Sequence, residues 1–84
     1  MATRSGLDGL TLLKGQVSID ATTGVSVVGA HIIEFETTGD ATITYADTTE
    51  DVYTVPNNGT RISNVYNGSN PITSVTFAGN ISWS

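Results

Sequence analysis

The chain has no cysteine, so no disulfide can brace it, and its single histidine, His31, cannot assemble an ordinary zinc site without thiolate partners. Basic residues are almost as scarce. Arg4, Lys14 and Arg61 stand against eight carboxylates, for a formal net charge of −5. A nucleic-acid surface needs a basic patch to displace phosphate counterions, and three scattered cations cannot build one. An anionic membrane surface would repel the chain for the same reason. No apolar run approaches the roughly 20 residues of a membrane-spanning helix. Leu10, Thr11, Leu12 and Leu13 make too short a run for a signal peptide, so synthesis in the cytoplasm without a secretion signal is expected.

These absences matter because the chain is short. Its 84 residues suffice for one domain, which buries only about 60–65% of its extended-chain surface on folding. Small domains offset that deficit with disulfides, a metal or partner subunits. With the first two closed, association into an oligomer is the expected route.

What is present points to β-structure. Ser and Thr make up about a quarter of the chain, and Thr, Val, Ile and Tyr recur throughout, all suited to a pleated surface. No window shows a sustained helical apolar period. Strands are expected near 17–19, 25–28, 30–36, 41–46, 52–55 and 60–66, and over 72–83, the last either one strand or two split at Gly79-Asn80. Within 30–36, His31, Ile33 and Phe35 share one face, with Ile32 and Glu34 on the other. Asn58-Gly59 and Asn67-Gly68 read as type I′ turns, and residues 47–51 as an acidic turn. The fold class is therefore all-β: a small antiparallel β-sandwich or barrel of about seven short strands. Residues 1–14 form an extended N-terminal arm, and 15–84 the β-domain. On the arm, Leu7, Leu10, Leu12 and Leu13 are available to dock on a partner.

Candidate chemistry is sparse. No nucleophile pattern surrounds His31, which reads as a strand histidine, half buried or at an interface. Asp47-Thr48-Thr49 approaches the Asp-Thr-Gly signature of retroviral aspartic proteases, but Thr49 replaces the glycine that lets two such loops meet. Asp47, Glu50 and Asp51 could approach a calcium ion, although no EF-hand spacing is present and a solvated turn needs no ion. Three Asn-x-Ser/Thr triplets, at Asn58, Asn67 and Asn80, follow from turn-forming demand. No catalytic residue, metal site or cofactor is expected. Tyr53, Tyr66 and Trp83 are candidate interface or ligand aromatics, and Tyr45 falls in one stripe with Ile43.

The cysteine-free, Thr/Ser/Gly/Asn-rich composition, the opening Met1-Ala2-Thr3-Arg4-Ser5-Gly6-Leu7 and the closing Asn80-Ile81-Ser82-Trp83-Ser84 carry a family likeness. In these features the chain resembles the small β-rich accessory proteins of tailed-bacteriophage virions, of the capsid decoration or cement type. The resemblance implies a structural, non-enzymatic subunit on the capsid surface. Its partners would be the major capsid protein or another virion protein and copies of itself, with a trimer favoured. The alternative is a carbohydrate- or receptor-binding module of a tail spike or fibre.

Overall fold

The computed structural model describes residues 18–64 and 68–84. The arm with Leu7, Leu10, Leu12 and Leu13, together with Tyr66 and Asn67, lies outside the described residues. The rest contains eight strands: β1 (Ile19–Asp20), β2 (Val25–Ser26), β3 (Ile32–Phe35), β4 (Gly39–Tyr45), β5 (Glu50–Val55), β6 (Thr60–Ser63), β7 (Ile72–Phe77) and β8 (Asn80–Trp83). The run 72–83 is thus two strands, and the turn between them needs Gly79: a Cβ there would sit 3.0 Å from both the Phe77 ring and Thr37 Oγ1.

Pairing is antiparallel throughout and nested. β1 pairs with β8, β2 with β7, β3 with β6 and β4 with β5. Two further pairings, β3 with β8 and β4 with β7, join these into sheets of order β1-β8-β3-β6 and β2-β7-β4-β5. A long hairpin folded over on itself gives this order, which is that of a jelly roll. The sheets pack face to face as a sandwich and do not close into a barrel.

Alternation explains which residues fill the space between them. In β4, Ala41 and Ile43 are buried while Thr42 and Thr44 are half-buried on the opposite face. β3 supplies Ile33 and Phe35, β7 supplies Val75 and Phe77, and β8 supplies Ile81. Phe35 and Phe77 meet across the two sheets, edge to face, with ring centroids 5.1 Å apart. Phe35 also touches Tyr53 of β5, at 5.9 Å. In β7 the alternation slips at one place. Thr44 faces Ser74 but Tyr45 faces Ile72, so Thr73 is an extra residue that turns Ile72 inward.

Several local expectations change. Glu50 and Asp51 belong to β5 and not to the turn before it. Asn58-Gly59 is not a type I′ turn, because only Gly59 has positive φ, at 77°. The reason is topological: β6 pairs with β3, so the 56–59 connection crosses between sheets instead of closing a hairpin. Glu34 does lie on the outer face of its sheet, but it is buried, and its Oε1 accepts a bond from Arg61 Nε at 2.9 Å on the neighbouring strand.

One side chain ties the two sheets at the end of the sandwich. Buried Asn64, just after β6, donates from Nδ2 to the Ile72 carbonyl at 3.0 Å and accepts from the Ile72 amide at 2.8 Å. Removing it strands two buried backbone groups, each costing about 1–3 kcal/mol. Asn64→Ala is expected to lower unfolding free energy by about 2–6 kcal/mol, read as a drop in the urea midpoint by circular dichroism.

Candidate functional site

The two sheets are unequal at their margins. On one side the edges are the two-residue strands β1 and β2; on the other they are β5, six residues long, and β6. Between β5 and β6 lies an open cleft of about 300 Å³. Ile43, Ile62 and Ile72 give it an apolar lining, and Tyr45, Tyr53 and Asp51 add polar groups.

The register of β5 dictates what reaches the cleft. Asp51 faces Ile43, Tyr53 faces Ala41 and Val55 faces Gly39, so these three point inward. Glu50, Val52 and Thr54 point outward, and Val52 is 67% exposed. The Tyr45 amide donates to the Thr49 carbonyl at 2.9 Å. Antiparallel alternation from that bond makes Ile43–Asp51 and Ala41–Tyr53 the hydrogen-bonded pairs. The backbone N–H and C=O groups of Glu50, Val52 and Thr54 are therefore directed away from β4. Among the described residues no strand meets them.

The electrostatics of the cleft centre on Tyr45. Burial pushes its phenol above the usual range, and a side-chain hydrogen bond to Asp51 and that carboxylate's charge push it further. Elsewhere two Asp-x-Thr turns share one design. Asp20 Oδ1 accepts from the Thr22 hydroxyl and amide, and Asp47 Oδ1 accepts from the Thr49 hydroxyl and amide. Both carboxyls are held below their ordinary range, mainly by the threonine hydroxyl and then by the amide. The second turn holds Thr48 at φ 72°, a left-handed backbone costly for a β-branched residue.

The candidates read from the sequence are scattered. Tyr53 lines the cleft, whereas Trp83 packs against the core from β8, on the other sheet, and does not join it. His31 is exposed and precedes β3 instead of lying within a strand. Asp47, Glu50 and Asp51 occupy a turn, an outward position and an inward position, and among the described residues no three His, Cys, Asp or Glu gather as for a metal. Ile62 was not legible as a site residue, and Asp51 was read only as a calcium candidate in an acidic turn, because only the β5–β6 seam brings the two together. Among the described residues there is no helix long and apolar enough to cross a membrane.

No protein family matches this chain, and neither do any curated proteins or solved structures.

Two pH effects follow. Tyr45 has a folded-state pKa above its unfolded value, so its contribution to stability is complete below the normal phenol range and fades as pH rises through the folded value. In ultraviolet titration Tyr45 is expected to ionise late, and Asp51→Asn to bring it part of the way back, with burial still holding it high. Asp20 and Asp47 act in the opposite sense. Their contribution is present above the unfolded carboxyl range, near pH 4, and is lost as pH falls through the depressed folded values. Melting temperature followed downward from about pH 5 should fall less steeply in Asp47→Asn than in the parent.

Proposed function

We propose that the chain is a structural virion protein, a capsid decoration or cement subunit on the surface of a phage head, where it stabilises the shell by protein–protein contacts. The observation that carries this reading is the six-residue edge of β5, whose outward backbone groups meet no described strand. An open edge offers directional hydrogen bonds without charge or cofactor, whether to the shell or to the next copy on it. On a shell that repeats one surface many times, a modest contact per copy becomes firm attachment. Jelly rolls serve in capsids and in lectins alike, so the architecture supports this reading without selecting it. The acidic, hydroxyl-rich composition fits a protein partner, either the major capsid protein or another virion protein.

A second reading is favoured by a separate observation, the flanking of Asp51 by Tyr45 and Tyr53 in the cleft. A tyrosine face can stack on the C–H face of a sugar whose hydroxyls donate to a carboxylate, as a tail-spike or fibre module would require. A glycan array separates the two: hits lost in Tyr53→Ala support the sugar reading, and an array without hits rejects it.

For the leading reading, the chain is co-expressed with the capsid protein encoded in the same genome and the shells are sedimented. The chain is expected to travel with the shells and raise their melting temperature. Deletion of residues 1–14 is expected to abolish attachment while leaving the β-sheet circular dichroism signal intact. Undiminished attachment of the shortened chain would count against an arm-borne contact.

A further inference from the structure

We propose that the edge of β5, which no strand meets among the described residues, is covered by residues 10–14 of a second copy of this chain, added as an antiparallel strand that closes the seam between β5 and β6. This deepens the shell reading by naming a neighbouring copy as what takes that edge, so that copies are linked to one another across the shell, and the inference itself holds whether or not the chain sits on a capsid.

Four observations support the pairing, and the match of Lys14 with Asp51 sets its register. The first is the edge itself, with the backbone groups of Glu50, Val52 and Thr54 pointing outward. The second is the parity of the two segments. Placing Lys14 opposite Asp51 sets Leu12 opposite Tyr53 and Leu10 opposite Val55, all on the inward face. Leu10 and Leu12 then enter the side that holds Ile43, Ile62 and Ile72. The third is the outward face, where the same register puts Leu13 on Val52, 67% exposed, and Thr11 on Thr54. The fourth is charge. Residues 1–17 hold Arg4 and Lys14 against Asp8, whereas residues 18–84 hold seven carboxylates and one Arg or Lys, namely Arg61, which is paired with Glu34.

Chain length selects the second copy over the same one. β1 and β5 lie at opposite corners of the sandwich. Three strand spacings of about 4.8 Å and one sheet spacing of about 10 Å separate them by roughly 17 Å even through the core. The four steps from Lys14 to Ser18 span at most about 14 Å. Lys14 therefore falls short of Asp51 in its own copy and reaches a neighbour's. Reciprocal exchange gives a dimer, and head-to-tail exchange gives a ring such as a trimer.

The absence of native cysteine makes the test clean. Full-length Leu13→Cys and Val52→Cys chains are mixed and oxidised, and a disulfide-linked pair containing one of each is expected. Leu12→Cys mixed with Val52→Cys should yield at least severalfold less, because a one-residue shift turns the side chains to opposite faces. Light scattering should give the unmodified chain a mass above that of one copy. Asp51→Lys should weaken association several-fold, and adding Lys14→Asp should restore it. A monomeric mass at high concentration overturns the proposal, as does a Leu13→Cys/Val52→Cys chain that cross-links only within itself. Equal linkage from positions 12 and 13 overturns the register.

Discussion

The sandwich rests on the meeting of Phe35 and Phe77. No disulfide joins the two sheets, and the edge of one ring meets the face of the other between β3 of one sheet and β7 of the other. Tyr53 extends it outward to β5. Small residues make room for it, since Ala41 is buried opposite Phe77 in the register and Gly39 would place a Cβ 3.5 Å from the same ring. Fully burying aromatic side chains is among the largest favourable terms available to a domain this small. The seam between β5 and β6 begins where this aromatic cluster ends, so the packing that holds the sheets together also sets the depth of the cleft.

Around that cluster the polar groups are handled by short local devices. Asn64 clasps Ile72, Asp20 and Asp47 fold their own turns, and the buried Glu34 is met by Arg61. Each satisfies a group that burial or turn formation would otherwise leave wanting. Two of them adjoin the Tyr45–Asp51 pair, since Ile72 faces Tyr45 in the register and the Tyr45 amide donates to the Thr49 carbonyl of the Asp47 turn.

Much of this architecture was legible in the residue pattern. Alternation in 41–46 and the odd positions Val75, Phe77, Ile81 and Trp83 marked inward residues correctly, because period two survives wherever a strand is half buried. Tyr45 was rightly grouped with Ile43. The pattern failed where tertiary pairing overrides local preference. Ile72 sits out of phase until the extra residue at Thr73 is known. Asn58-Gly59 carries a hairpin dipeptide, yet β6 leaves β5 for the other sheet. Strand order itself is a matter of long-range contact, and no dipeptide encodes that β1 will find β8. The cleft was hidden for the same reason: Asp51 and Tyr53 share one face of β5, but Ile62 joins them only through the seam.

The position of β8 bears on how the chain acquires its shape. This strand lies inside its sheet, between β1 and β3, and Asn80 Nδ2 reaches back 62 positions to Ser18 Oγ at 2.7 Å. Its residues are made after those of all seven other strands. Until they emerge, β1 has no ladder partner and β3 is paired on one side only. Closing so long a loop is entropically costly before it is rewarded, and pairings of this kind set slow folding rates. The other sheet, β2-β7-β4-β5, can assemble first. An arriving β8 then acts as a keystone, and chains interrupted before Asn80 are left with an unfinished sheet open to the quality control of the cell.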